Sequence, residues 1–416
     1  MKLTSALPRD GWLLFATRCS RMFAYGLLSV VLVLYLVEVG LRGWEIGLLL
    51  TLTLVGDTAI SLWLTTTADR LGRRRTLLLG SLLMILAGIA FIATDDLTVL
   101  VLAATIGVIS PGGNEIGPFL SVEQAALAHI VRDDRYTQLF AWYNFAGSIA
   151  TAVGALAGGW LTTAAQHFGL QGAAAYRPAL LAYAGIGAAL LGGFALLSPA
   201  IEVGARAAPA TKTVLGLHVS RETVLKLSLL FGLDAFGGGF VIQSVIAYWF
   251  HRRFHLEPAM LGTIYLFANL FAGASALAAG WLARRIGLVN TMVFTHLPSN
   301  VLLLLVPLMP TAPWAVAVLL LRFSISQMDV PTRQAYTMAV VHSDERSAAA
   351  GVTAVARSVG ASLSPMLATV FVTSVALTSM PFFLAGGLKI VYDVLLYRAF
   401  ANRQANDAAP DGRARP

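Results

Sequence analysis

Apolar and polar positions alternate along this chain in long blocks. Apolar runs fall at 12–39, 44–68, 76–94, 97–129, 137–164, 178–200, 223–250, 258–283, 288–309, 312–341, 347–375 and 379–400. A helix of about 20 apolar residues crosses the hydrocarbon layer of a bilayer, so the pattern predicts twelve transmembrane helices joined by short polar turns. The densest turn is Ala68-Asp69-Arg70-Leu71-Gly72-Arg73-Arg74-Arg75-Thr76-Leu77. It makes predicted helices 2 and 3 antiparallel neighbours. Its arginines place it on the cytoplasmic side, because basic residues in short loops resist translocation. Every other loop then has a side. Both termini are expected inside, together with Arg132, Arg135, Arg221, Lys226, Arg284, Arg285 and Arg346, whereas Arg42, Arg177, Arg252 and Arg253 are expected outside. Trp12, Trp44, Tyr248, Trp249, Trp281 and Trp314 lie near run ends, where aromatic side chains anchor helices at the interface.

Composition agrees with this reading. Of 416 residues, 57% are hydrophobic and 12% charged, against about 25% charged in soluble domains. The net charge of +8 does not point to nucleic acid, because the excess sits in short loops between apolar runs. The single cysteine, Cys19, excludes an intramolecular disulfide and a cysteine metal cluster. The first apolar run is too long for a signal-peptide core and is expected to stay as the first helix. The expected form is a monomer, multi-pass in the cell (inner or plasma) membrane.

The chain also repeats. Gly262 lies 215 positions after Gly47, and Gly287 lies 215 after Gly72. Asp133-Asp134-Arg135 and Asp344-Glu345-Arg346 correspond at nearly the same offset. The expected domains are an N-terminal six-helix bundle over 1–200, a cytoplasmic linker over 201–222 that contains Pro209, a C-terminal six-helix bundle over 223–402, and a tail over 403–416. The tail is polar and rich in Ala and Pro, a composition that favours disorder.

Asp69-Arg70-Leu71-Gly72-Arg73-Arg74-Arg75 resembles the signature loop of the major facilitator superfamily, Gly-x-x-x-Asp-Arg-x-Gly-Arg-Arg/Lys. Thr65 stands at its leading glycine position. The helix count, the halves and the linker extend the resemblance over almost the whole chain. It implies an all-α membrane protein of twelve transmembrane helices in two pseudo-symmetric six-helix bundles. It also implies secondary transport by alternating access, with helices 1, 4, 7 and 10 lining the path and 2, 5, 8 and 11 beside them. Asp69, Arg70, Gly72 and Arg73 would then form a cytoplasmic gate element. Gly154-Ala155-Leu156-Ala157-Gly158-Gly159 is similar to the Gly-Pro-x-x-Gly-Gly end of the family's antiporter motif, with Ala155 in the proline position. That leans toward export; the bland alternative is close helix packing by small residues. The basic helix-4 motif of many proton-coupled drug exporters is not evident, since the outer half of this helix 4 has no arginine.

Charges inside a bilayer cost about 2.5–3.5 kcal/mol on insertion scales, so they are functional candidates. The basic ones are Arg18, Arg21, Arg322, Arg333, Arg357 and Lys389; the acidic ones are Asp57, Glu115, Glu123, Asp234, Asp329 and Asp393. Arg322, Ser326, Asp329 and Arg333 share one face of helix 10, and Asp329 and Arg333 have pairing distance at i, i+4. Helix 4 carries Gly112-Gly113-Asn114-Glu115-Ile116-Gly117-Pro118, which loosens the helix in mid-membrane. Glu115 is the first candidate for a proton or cation site and Glu123 the second, the latter also readable as a salt bridge to Arg18 or Arg21. Arg18, Arg21 and Tyr25 form a stripe on helix 1, Arg357 lies on helix 11, Asn144 on helix 5 and Asp234 on helix 7. Lys389 and Asp393, at i, i+4 on helix 12, are expected to satisfy each other. His251, His255 and Glu257 form an outer-loop cluster of a kind that can bind a metal, with a solvated loop as the favoured reading.

No nucleotide-binding loop of the Gly-x-x-x-x-Gly-Lys-Ser/Thr kind occurs, so a proton is the leading coupling ion, or another cation. The expectation is proton-coupled efflux of a small organic solute, with uptake or downhill transport of a small organic anion or metabolite as the alternative. A membrane enzyme or lipid-handling protein is the remote alternative, because no compact nucleophile, base and orienting group can be assembled. No catalytic residue, cofactor, metal or nucleic-acid partner is expected; the partners are the solute, the proton and the lipid bilayer.

Overall fold

A computed structural model describes residues 7–115, 119–130, 136–202, 218–342 and 345–401, though not the side chains of 65–70, 128–129, 136–138, 140–141 and 347. Residues 116–118, the Asp133-Asp134-Arg135 turn, residues 203–217 of the predicted linker, Asp344 and the predicted tail lie outside the described residues. So do the side chains of Asp69 and Arg70.

The described chain is all-α, without a strand. Its helices are α1 (Arg9–Glu38), α2 (Gly43–Leu71), α3 (Arg73–Ala93), α4 (Leu97–Ile106), α5 (Phe119–Ile130), α6 (Tyr136–His167), α7 (Arg177–Ala195), α8 (Arg221–Gly239) and α9 (Gln243–Phe254). There follow α10 (Pro258–Ile286), α11 (Leu288–Leu305), α12 (Ala312–Phe323), α13 (Asp329–Ala339), α14 (Arg346–Leu363), α15 (Pro365–Thr373) and α16 (Met380–Phe400). Among the described residues ten stretches are long and apolar enough to cross a membrane, and they coincide with ten of the predicted runs. The other two runs, 97–129 and 312–341, are not the single helices expected. Each is broken, into α4 and α5 and into α12 and α13.

The breaks have local causes. After α4 the chain turns through Pro111 and Gly112 to Gly113 at φ 68°, and the Ser110 hydroxyl donates to the Asn114 carbonyl at 2.8 Å. Pro331, in the first turn of α13, has no N–H to offer the Gln327 carbonyl four residues upstream, where the chain breaks between α12 and α13. Within the break the Gln327 amide donates to Ser275 Oγ at 3.3 Å. Pro365 likewise separates α14 from α15, and α8 parts from α9 just after Gly237-Gly238-Gly239. Gly72 and Gly287 both stand at positive φ, 96° and 87°, immediately before α3 and α11. Only glycine takes that conformation without cost, so the same turn recurs at the repeat spacing.

The chain forms two compact units. The first comprises Met1–Ala207, Ile242–Leu270 and Pro365–Thr378; the second comprises Ala208–Val241, Phe271–Ser364 and Ser379–Pro416. In the first, α1 is the axis and is buried along most of its length. Backbone meets backbone where it crosses α6: a Cβ on Gly26 would collide with the Thr151 carbonyl, and one on Gly154 or Gly158 with the carbonyl of Phe23 or Leu27. Such contact matters in lipid, where association depends on packing closeness rather than on a hydrophobic drive. Gly159 meets the start of α10 in the same way, at Pro258 and Gly262, and Gly47 of α2 meets Met366 of α15. Trp249 is no interfacial anchor. It is fully buried, edge-on to Phe250 and Phe254 with ring centroids 5.0 and 5.6 Å away, because the face of α9 that carries it turns inward.

In the second unit α8 lies along α14, with Gly360 against the Gly232 carbonyl and Ser364 Oγ donating to the Phe236 carbonyl at 2.7 Å. Leu227 and Phe231 of α8, Met292 of α11, Tyr336 of α13 and Tyr392, Leu396 and Phe400 of α16 form its apolar core.

Candidate functional site

Two buried charge clusters dominate, one in each unit. In the first, α1 presents Arg18 and Arg21 one turn apart. Arg21 is fully buried, at 0% side-chain exposure, and so is Glu123 of α5. Arg21 Nη1 lies 2.6 Å from Glu123 Oε1, and Nη2 lies 2.8 Å from Oε2, a bidentate fork. The same guanidinium donates twice to Glu115 Oε1, from Nη2 at 2.6 Å and from Nε at 3.1 Å. The Tyr143 hydroxyl of α6 donates to Glu123 Oε2. The Arg21 guanidinium also lies over the Phe119 ring, 4.5 Å from its centroid. Two arginines and two glutamates balance, as burial in a poorly hydrated interior requires.

Arg18 is the less saturated member. Its Nη1 is 2.9 Å from Glu115 Oε2, its Nη2 donates to Asn144 Oδ1 at 3.1 Å, and its plane lies over the Tyr143 ring. Its buried Nε–H has no hydrogen-bond partner among the described residues. Space is left there by Gly147, on which a Cβ would come within 2.8 Å of that nitrogen. Glu115 is 13% exposed and Asn144 is exposed, so this edge of the cluster is the accessible one.

In the second unit Asp234 of α8 is the hub. Lys389 Nζ of α16 is 2.6 Å from its Oδ1; Arg357 Nη1 of α14 and Arg333 Nη1 of α13 are 3.0 and 3.4 Å from its Oδ2. Arg333 also holds Asp329 Oδ2 at 2.7 Å, the i, i+4 pair expected from spacing. The expected pairing of Lys389 with Asp393 is corrected: Lys389 goes to Asp234, while Asp393 accepts from His296 Nδ1 at 2.8 Å and from Asn300 Nδ2 at 2.9 Å. Spacing of i, i+4 permits a pair, but here the better-aligned partners stand on neighbouring helices.

Of the predicted site residues, Arg18, Arg21, Glu115, Glu123 and Asn144 therefore come together in the first unit. Tyr25 is buried one turn further along α1. Asp234, Asp329, Arg333 and Arg357 come together in the second. Glu115 and the Asp329–Arg333 pair belong to separate units and each is paired within its own. Sequence reading missed His296, although a histidine with Asn300 at i+4 inside an apolar run was a visible signal. It also missed Tyr143, which gives no polar signal on a helix rich in aromatics.

The signature loop does structural work at the start of α3. Glu202, placed by sequence in the linker, accepts the backbone N–H groups of Arg73 and Arg74 at 2.8 and 3.0 Å, a carboxylate at a helix N-terminus. The buried Arg73 side chain donates to the carbonyls of Ala125 and Ile201 at 3.2 and 3.1 Å. Glu345 holds the segment that leads into α8, accepting from the amides of His218, Val219 and Ser220. Burial works to raise its carboxyl pKa, but those donors win and hold it down at about 2.

The family profile described as "Major Facilitator Superfamily" matches residues 14–365. The chain is 28% identical over 418 residues, 93% of each protein, to the "Uncharacterized membrane protein YJR124C" of Saccharomyces cerevisiae. Among solved structures it is similar to a mutant of the nucleoside transporter NupG (13% identity, 94% of this chain and 100% of that one, TM-score 0.77). It is also similar to a D-xylose–proton symporter (12%, 93% and 97%, TM-score 0.70) and to the human organic anion transporter MFSD10 (16%, 94% and 100%, TM-score 0.59).

Proposed function

Because the chain belongs to the Major Facilitator Superfamily, we propose that it is a proton-coupled secondary transporter that exports a small polar organic solute by alternating access. Membership makes it a multi-pass membrane protein and a transporter rather than an enzyme. The finer reading rests on one observation, the first-unit cluster. A buried guanidinium N–H without a partner costs about 1–3 kcal/mol unless an acceptor reaches it. Arg18 Nε is such a group, and it sits beside the accessible Glu115 and Asn144. A solute carrying a hydroxyl, carbonyl or carboxylate oxygen supplies that acceptor. Glu115, held by two arginines, is the carboxylate that a proton would release from them.

The broken helices support the same location. Interrupted spans at corresponding places in two repeats point to binding sites, and the interruptions here adjoin Glu115 and Asp329. In this reading the chain crosses the cell membrane twelve times as a monomer, with both termini and the Arg73 turn cytoplasmic. The bundles are 1–200 and 223–402, joined by a linker. Asp69, Arg70, Gly72 and Arg73 act as a gate element. One observation favours a second reading, uptake of an organic anion: Arg357 is the most exposed cation of the second cluster, at 34%.

The test is flux in proteoliposomes under an imposed pH gradient, across nucleosides, pentoses, organic anions and organic cations. Glu115→Gln is expected to abolish gradient-driven flux and to keep solute counterflow. Survival of both activities removes Glu115 from the coupling step; no flux of any solute through well-folded wild type removes the transport reading of this panel.

A further inference from the structure

His296 stands in the middle of α11 and is buried. A carboxylate faces each of its ring nitrogens: Nδ1 is 2.8 Å from Asp393 Oδ1, and Nε2 is 3.7 Å from Asp234 Oδ1. Neutral imidazole has one N–H and one lone pair. If Nδ1 donates to Asp393, the Nε2 lone pair points at an anionic oxygen. Only the imidazolium offers an N–H to both. Asn300 fixes the geometry by donating to the other oxygen of Asp393.

We propose that His296 is a proton-binding site of this transporter, loaded between Asp393 and Asp234, and that its charge state sets how firmly Asp234 holds its cations. The surrounding groups frame the switch. From α16 come Asp393, Lys389 and Tyr392, the last with its ring edge-on to the imidazole. From α8 comes Asp234. From α13 come Arg333, Asp329 and Tyr336, and from α14 comes Arg357. Among those joined by ion pairs, three carboxylates (Asp234, Asp329, Asp393) meet three permanent cations (Arg333, Arg357, Lys389). The network is therefore neutral when His296 is neutral. A proton on His296 adds one charge and competes with Lys389 for the same oxygen, Asp234 Oδ1. The grip of Asp234 on its other cations weakens, and Arg357, the most exposed of them, is the one freed to meet an anionic group of a solute. The permanent cations around Asp234 make this a proton site rather than a metal site.

Its role in coupling rests on the proton-coupled reading above; its protonation does not. The decisive experiment is nitrogen and carbon NMR of full-length protein labelled at histidine, with His296→Gln identifying the His296 signals. His296 is expected to hold its proton on Nδ1 when neutral and to carry an N–H on both ring nitrogens when loaded. In Asp393→Asn its proton affinity is expected to fall about tenfold, as loss of an adjacent opposite charge dictates. A ring that stays neutral throughout, or one that titrates identically in Asp393→Asn, overturns the assignment. If Asp393→Asn does not fold, the wild-type titration alone decides. In flux, His296→Gln is expected to lose accumulation driven by the pH gradient while counterflow persists. Full gradient-driven flux through His296→Gln overturns the coupling role even where the ring titrates. Absence of flux through wild type counts against the transport reading and leaves the titration result standing.

Discussion

Arg21→Met tests whether the first cluster is a single energetic unit. Arg21 makes four hydrogen bonds to two carboxylates, all within 2.6–3.1 Å, and both Arg21 and Glu123 are fully buried. Methionine fills much of the volume and removes the charge. Glu123 is then left with the Tyr143 hydroxyl and no cation, and stranding one partner of a buried pair costs about 3–5 kcal/mol. Glu123→Gln should cost less, because Arg21 keeps Glu115. In Arg21→Met with Glu123→Gln the stranded charge is gone, so the double variant should recover at least about 2 kcal/mol relative to the sum of the single losses, within the range of coupled neighbours. The assay is built into the chain. Cys19 is its sole cysteine and is part-buried on α1, so a thiol-reactive fluorogenic dye reports unfolding against denaturing detergent. Losses that add within about 0.5 kcal/mol would refute the idea that Arg21 and Glu123 depend on each other.

Two further outcomes follow from the same geometry. Gly154→Val drives a side chain into the Phe23 carbonyl and should destabilise the first unit by about 1–3 kcal/mol, read by the same dye; unchanged stability would show that α1 and α6 need not approach so closely. Glu345, where burial raises the pKa but hydrogen bonds from the amides of His218, Val219 and Ser220 prevail and hold it at about 2, is lowered on folding from the ordinary carboxylate value of about 4.3. It therefore adds stability above that value and loses it as pH falls toward about 2. Glu345→Gln should flatten the acid limb of stability in that window, and an identical acid limb in both proteins would count against the amide cradle.

Most helix positions were legible because membrane-length apolar runs are their own signal, and boundaries fell within a few residues, as at α1, α10 and α16. The glycine- and proline-bearing stretch 112–118 marked run 97–129 as loosened, but the break inside run 312–341 was not legible, because hydropathy averages over a proline. Pro331 changes the mean of its window little, yet it removes the hydrogen bond that would have carried α12 into α13. Trp249 was misplaced for a related reason. Proximity to a run end resembles an interfacial position, and only the packing of α9 shows that its ring is enclosed.

The charges divide the same way. Spacing along one helix foretold Asp329–Arg333, since i, i+4 geometry is local. It failed at Lys389 and Asp393, where the identical spacing yields two separate long-range bonds. The difference lies in what stands opposite. Asp329 already has the nearest strong cation on its own helix, whereas Lys389 meets Asp234 at 2.6 Å and Asp393 meets both His296 and Asn300. Once those partners are present, an exchange back to the local pair would leave Asp234 with one fewer cation and His296 without its acceptor. Each such loss exceeds the few tenths of a kcal/mol that a helical i, i+4 pair supplies. The rule therefore predicts a local pair where the carboxylate, like Asp329, is ion-paired to no other cation across the helix interface among the described residues, even though its partner Arg333 also reaches Asp234. That condition is also why the partners of His296 could not be read from spacing: no other titratable group lies near it on α11, and Asp393 and Asp234 stand on α16 and α8.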